Sequence, residues 1–436
     1  MVAAEPIASS AALPPAGLAN VTSDAAAATN AAAEGPTPSI SADEIALYDR
    51  QIRLWGVKAQ ERIRTAHILL INLEGIGNEV AKNLVLAGIG SLTVVDSDVV
   101  SEEDLGAQFF VSEDDVGRKR AEAAAPQIRK LNPRVALHIS TDPIALQPPT
   151  FFTPYDVVIA TCMDLDTLST INAACRLCSR PFYAAGTHGF FGYVFADLIS
   201  HEYVIEREKS NIPTSVIAET TTRSVVATSS SKNSAGRPVE LVTKRELYSP
   251  LNLANTSPLP THHLSTRRRA RQVPPLLTGL RAVWEFQRLS GGLPSHSHAD
   301  LELFTTLATE KHRELQLPAE TLTSEFLRRF LQNLGSELAP VTAFLGGALA
   351  QDVVNVLGQR EQPIQNWLLF DGDDAKAPIY ALHPVFVAPV DATLGDAGLV
   401  GIETGAGISA AGVGDASGVV NMTADVGEVV PNPTVL

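Results

Sequence analysis

Cysteine is scarce, with three residues in a chain of 436. So few exclude a disulfide scaffold and point to a reducing compartment. Positive charge is also short: 33 Lys and Arg face 48 Asp and Glu, a formal net charge of −15. That balance argues against a nucleic-acid partner, which calls for clustered cations. From 391 to 436 there is no Lys or Arg, while Asp391, Asp396, Glu403, Asp415, Asp425 and Glu428 fall there. A long hydrophobic run is missing too. The longest, Ala339 to Ala350, stops at Gln351-Asp352 and reads as too short to span a bilayer, so no membrane partner is expected. The N-terminal stretch has neither basic residues nor an apolar core, and so does not read as a secretory signal.

What is present is a globular chain long enough for two domains, or for one large domain with insertions. Residues 1–40 are Ala, Pro, Ser, Thr and Gly without an apolar period, and disorder is expected there. Asp43 to Ile63 reads as helix, with Tyr48, Ile52 and Trp55 on one stripe and Gly56 interrupting. Five apolar runs then alternate with helical segments: Ile68–Leu73, Leu92–Val95, Val135–Ile139, Val157–Ala160 and Tyr193–Leu198. The alternation predicts an α/β, doubly wound, mostly parallel sheet covered by helices. From 207 to 273 the pattern fades into polar and charged residues, and a mobile insertion is expected. Within it, Arg267-Arg268-Arg269-Ala270-Arg271 reads as a solvated loop, with a nuclear-import patch, and hence a nuclear location, as the alternative. Helical character returns from 274 to 333. Thr342 to Leu357 predicts an amphipathic helix with Leu345, Leu349, Val353 and Val356 on one side, and Gly346-Gly347 placed for close packing. Asn366 to Asp371 reads as a buried strand.

The chemistry-bearing motif follows the first run. Gly75-Ile76-Gly77 opens a helical pattern, and a second run ends at Asp96. Strand, glycine turn, helix, strand and acid is the order of a mononucleotide-binding unit. Glycines at such a turn let backbone N–H groups approach phosphates. Here the third glycine position is Val80, and Glu79 in the first helical turn would repel a triphosphate. Asp96 stands where an acid would hold a ribose; a plain strand-end residue is the other reading.

The chain resembles the ubiquitin-like-protein activating-enzyme superfamily, which includes the MoeB/ThiF adenylyltransferases. The resemblance covers roughly 43–200 and 334–375. It rests on YDRQIRLWG at Tyr48–Gly56, the glycine turn, GAQFF at Gly106–Phe110 and VGRKRAEA at Val116–Ala123. Further on it rests on ELAPVTAFLGGALAQDVVNVLGQ at Glu337–Gln359 and NWLLFDG at Asn366–Gly372. Motif order is most similar to the small-subunit, Aos1-type branch of SUMO-activating enzymes. The resemblance implies a Rossmann-like adenylation-type domain split into 41–206 and 334–390. An insertion at 207–333 and an acidic Gly/Ala-rich tail at 391–436 complete the expected organisation.

Active members place an asparagine and an arginine on the phosphates; those positions are Asp104 and Ala107 here, and only the following glutamine, Gln108, is kept. The family's phosphate-binding lysine falls at Arg120, and its magnesium-binding aspartate at Met163, with Asp164 beside it. Loss of these groups together implies that Gly75, Gly77 and Asp96 form a vestigial nucleotide site. No cofactor is then expected on this chain, and Mg-ATP is expected in a partner subunit. Arg50 survives in the YDRQ segment, and the resemblance implies that it reaches the partner's ATP site in trans.

The thioester step needs an accessible thiolate. Cys162 ends a predicted buried strand, and Cys175 and Cys178 sit in a helical stretch, so the reactive cysteine is assigned to a larger partner. SUMO and, through the complex, a SUMO-conjugating enzyme are the other implied partners. Cys175-Arg-Leu-Cys178 lacks the second ligand pair that zinc would need, so no metal is expected. His188 reads as a hydrogen-bonding loop residue. The alternatives left open are a NEDD8-type small subunit, a self-sufficient MoeB-type adenylyltransferase, a nicotinamide oxidoreductase and a scaffold without catalytic contribution.

Overall fold

A computed structural model describes residues 40–210, 214–232 and 236–384. The expected tails, 1–40 (save residue 40) and 391–436, lie outside them. The N-terminal helical stretch is three short helices, α1 (Ala42–Leu47), α2 (Asp49–Trp55) and α3 (Val57–Ile63), with Gly56 at φ +86° turning the chain between the last two. Then follow β1 (His67–Ile71), α4 (Gly75–Ala87), β2 (Ser91–Val95), α5 (Arg120–Leu131), β3 (Ala136–Ser140), β4 (Val157–Thr161) and α6 (Leu165–Leu177). Strands β5 (Phe182–His188) and β6 (Phe191–Asp197) form a hairpin. Strand β7 (Ser200–Glu208) leads into the insertion, which contributes β8 (Arg223–Lys232), β9 (Pro238–Leu247), α7 (Leu251–Thr256), α8 (Thr261–Leu264), α9 (Arg267–Ala270), α10 (Leu276–Ser290), α11 (His298–Glu314) and α12 (Ser324–Asn333). Helix α13 (Ala339–Gly358) and strands β10 (Trp367–Asp371) and β11 (Ile379–Tyr380) return to the first sheet.

That sheet has eight strands in the order β11-β10-β6-β5-β4-β1-β2-β3. The β3-β2-β1-β4-β5 half is parallel, and β6, β10 and β11 pair antiparallel. Successive residues of β1 feed opposite faces, as a pleated strand requires. Ile68 and Leu70 join Leu84 of α4, Ile128 of α5 and Leu349 of α13. Leu69 and Ile71 join Ile171 of α6, Leu280 of α10 and Phe330 of α12. Each such fully buried side chain contributes about 2 kcal/mol. Strand order reverses between β1 and β4, so their C-terminal ends splay into the crevice where open α/β sheets bind ligands.

Three expectations are corrected. The described residues of 207–273 are not a patternless loop: β8 and β9 complete an antiparallel sheet with β7, which ends at Glu208, and α7, α8 and α9 follow. Charges of this stretch are paired inside the fold, which hides the strand pattern. Buried Glu246 takes Arg223 Nε at 2.5 Å, and Glu240 takes Arg207 Nε at 3.0 Å and the Thr214 hydroxyl at 2.6 Å. The arginine run is partly helical, and Arg267 and Arg271 both reach Glu320, at 2.7 and 2.8 Å. Lastly, α13 is longer than the apolar run read from the sequence, and by length and composition could cross a membrane. Its Leu345, Leu349 and Val353 are instead buried in the core, and its buried Asp352 accepts a 2.7 Å hydrogen bond from Tyr183.

Candidate functional site

The crevice at the ends of β1, β2 and β4 is a cavity of about 270 Å³. Asn72 and Glu74 line it from the β1 turn, Asp96 and Asp98 from the end of β2, and Cys162 and Asp164 from the end of β4. Gly77 is what lets α4 start there: a Cβ would lie 2.5 Å from the Asn72 carbonyl oxygen, a backbone atom that cannot move aside. Helix α4 has no side-chain cap of its own, leaving its first N–H groups without helical partners.

A carboxylate from far along the chain takes that place. Both Glu337 oxygens lie 3.0 Å from the Gly75 nitrogen. A negative group on a helix N-terminus is what a phosphate would supply. Burial, with the Glu74 charge next in weight, pushes the Glu337 carboxyl up to about 7. Glu74 is also raised, chiefly by burial, although Arg120 opposes the shift. Sequence reasoning quoted Glu337 within a motif and gave it no role. The separation of 262 residues between it and Gly75 gave no local signal. Glu74 and Asn72 were missed as well, although both flank the turn.

Arg120, where the resemblance places a phosphate-binding lysine, is turned inward. Its guanidinium donates to Asp96 at 2.7 Å, to Asp104 at 3.0 Å and to the Asn72 side-chain oxygen at 3.0 Å. Burial opposes its charge, but the hydrogen bond to Asp96 and the surrounding carboxylates hold its pKa above the usual arginine range. Asp96 is used on both oxygens. One takes Leu73 N at 2.9 Å as well as Arg120, and the other takes Asp98 N at 2.9 Å. Asp104, at the family's asparagine position, also takes Gln108 Nε2 at 2.8 Å. Asp164 caps α6 by accepting Thr167 N at 2.9 Å and the Thr167 hydroxyl at 2.6 Å.

Glu79 is corrected: it does not line the crevice. It packs against the Gly346 position of α13 and pairs with Lys82. The carboxylates that would meet a phosphate are Glu74 and Glu337.

Among the described residues, Glu74, Cys162 and Glu337 form a group whose donor atoms lie within 4.8 Å of one another. Burial pushes the Cys162 thiol well up, and the two glutamates add to that, which disfavours the thiolate that a nucleophile needs. Cys175 is buried and raised in the same way, and half-buried Cys178 rests on the Pro149 carbonyl. His188 ends β5, where its Nδ1 accepts Gly335 N at 3.3 Å. Burial lowers it to about 4, which keeps it neutral.

Arg50 lies outside the crevice. It is exposed on α2 and has no hydrogen bond or ion pair among the described residues. The stripe beneath it is core packing: Tyr48 is buried, and Trp55 packs on the cluster around α4.

The ThiF family model matches residues 48–379. The chain is 38% identical over 347 residues to the DNA damage tolerance protein RHC31 of Saccharomyces cerevisiae, covering 78% of this chain and 97% of that protein. It is 35% identical over 350 residues to SUMO-activating enzyme subunit 1 of Homo sapiens, covering 79% and 97%. The Rattus norvegicus subunit 1 is 34% identical over 354 residues, covering 80% and 97%.

Proposed function

The chain belongs to the ThiF family, and from that premise we propose that it is the non-thioester-forming small subunit of a heterodimeric SUMO-activating enzyme. It pairs with a larger subunit that carries the reactive cysteine. The adenylyl group comes from Mg-ATP in the partner's site. The C-terminal glycine carboxylate of SUMO takes that group and pyrophosphate departs. The partner's thiolate then displaces AMP to give the thioester, from which a conjugating enzyme receives SUMO.

The observation that carries this division of labour is the Glu337 carboxylate on the Gly75 N–H. A phosphate there must displace the Glu337 side chain, which already occupies the Gly75 N–H, and would meet the Glu74 carboxyl close beside it. The neighbouring cation, Arg120, is already held by Asp96 and Asp104. Gly75, Gly77 and Asp96 therefore serve the architecture of this subunit rather than nucleotide binding.

Arg50 is the chain's contribution to the reaction. Its guanidinium presents five donors, stays charged, and is not spent on a described neighbour. In the partner's site it braces the charge that develops on the phosphates, as an arginine supplied in trans.

ATP–pyrophosphate exchange with SUMO tests the reading on this chain alone, on the partner alone and on the mixture. Activity only in the mixture is expected. Activity of this chain alone would revive the self-sufficient adenylyltransferase. In the mixture, Arg50→Ala is expected to slow exchange by about 10³-fold with the heterodimer intact. An unchanged rate would remove Arg50 from the mechanism.

A further inference from the structure

An arginine that acts in another subunit's site must be presented at a fixed place, and α2 is only seven residues long. So short a helix is not stable by itself. What holds it is the far end of α4. The last carbonyls of a helix have no partner within it. Three consecutive ones here are taken by side chains of α2, of α3 and of the residue that follows α5. The Val85 carbonyl accepts Asn132 Nδ2 at 3.0 Å, Leu86 accepts Gln51 Nε2 at 3.3 Å, and Ala87 accepts Gln60 Nε2 at 3.2 Å.

Asn132 Nδ2 donates a second time, to the Tyr48 hydroxyl at 2.7 Å. The Tyr48 ring lies across Gly88, which ends α4 at φ +79°. A Cβ at Gly88 would lie 2.5 Å from the ring. At the other end of α2, Trp55 Nε1 donates to Gln60 Oε1 at 2.9 Å, and the Trp55 carbonyl accepts Arg360 Nη1 at 3.2 Å. Arg50 thus sits between Tyr48 and Gln51, both anchored, while its own side chain is exposed.

We propose that Tyr48, Gln51 and Asn132 are positioning residues for adenylation: they clamp α2 to the C-terminal end of α4, so that Arg50 is presented to the partner's site in one orientation. The inference rests on the Arg50 reading above. Displacement of a reacting group by about 1 Å can cost two orders of magnitude in rate. Loss of a single link in the clamp therefore costs turnover without costing assembly.

The test uses the full heterodimer and compares Tyr48→Phe, Gln51→Leu and Arg50→Ala, alone and combined, in ATP–pyrophosphate exchange with SUMO. Tyr48→Phe keeps the ring on Gly88 and removes only the hydroxyl. A fall in kcat of about tenfold is expected for it, with KM for ATP little changed. In the Arg50→Ala background it is expected to cost nothing more, because the clamp acts only through Arg50. If Tyr48→Phe fails to assemble, Gln51→Leu at the half-buried position decides by the same two readouts. Full activity in both clamp variants, with Arg50→Ala slow, would overturn the clamp and leave Arg50 standing. Losses that simply multiply with Arg50→Ala would also overturn it, as a general structural effect. A normal Arg50→Ala would remove the Arg50 reading itself.

Discussion

Glu337 is a single side chain whose ionisation is set by its surroundings. Burial, with Glu74 close by, lifts it to about 7 from an ordinary 4.5. The folded chain therefore keeps a proton that the unfolded chain releases between these values. The resulting stabilisation is complete below about pH 4.5 and is lost as pH rises through about 7. It is on the order of 2 kcal/mol after allowing for partial exposure. Glu337→Gln can still accept from the Gly75 N–H but cannot titrate. The melting temperature of the unaltered protein is expected to fall more steeply between pH 5.5 and 8 than that of the variant. Asp352, raised by burial to about 6, has the same sign but is common to both proteins. Equal slopes would show that Glu337 titrates like a solvated carboxyl. The glycines and Asp96 of this site were legible in the sequence because a turn and a strand end are local features. Glu337 was not, because its partner is 262 residues away.

At the level of elements, the contact of α13 with α4 decides whether the two ends of the chain close one domain. The sequence placed a helix here from its apolar period and a close contact from Gly346-Gly347. Only Gly346 makes that contact: a Cβ there would lie 2.4 Å from Glu79 Cβ and 3.2 Å from the Ile76 carbonyl, whereas Gly347 has nothing within 4 Å. Gly346→Ala is expected to cost about 1–3 kcal/mol through overpacking. Gly347→Ala is expected to be neutral, or to gain up to about 1 kcal/mol from helix propensity. Denaturant midpoints of the two variants check both signs, and equal effects would refute the asymmetry. Strand β5 shows the converse limit. Its Ala184-Ala185-Gly186-Thr187 core is too small and mixed to read as an apolar run, yet every residue from Phe182 to Thr187 is buried between β4 and β6.

For the molecule as a whole, the described residues of the insertion are part of the fold rather than a tether. Strand β9 is bonded on both sides, by β7 along Val239–Leu247 and by β8 along Pro238–Glu246. Its amides are expected to exchange with solvent much more slowly than those of a free loop, and more slowly than the outward-facing amides of β8. Loop-like exchange throughout β9 would return this stretch to the mobile state read from its composition. That composition misled because Arg223 pairs with Glu246 and Arg207 with Glu240 within the sheet, and a sequence pattern cannot show whether a charge meets water or a partner.

The sequence by itself determined the parallel α/β core, the glycine turn at Gly75 and Gly77, and the family. All of these follow from local period, local backbone demand or residue identity at a motif position. Only the tertiary structure decided what meets the Gly75 N–H, which way Arg120 points, and what fixes the helix that bears Arg50. Those are meetings of groups far apart along the chain, and they depend on how the helices lie against the sheet. Local sequence carries the period of a helix, but not the place where its end comes to rest.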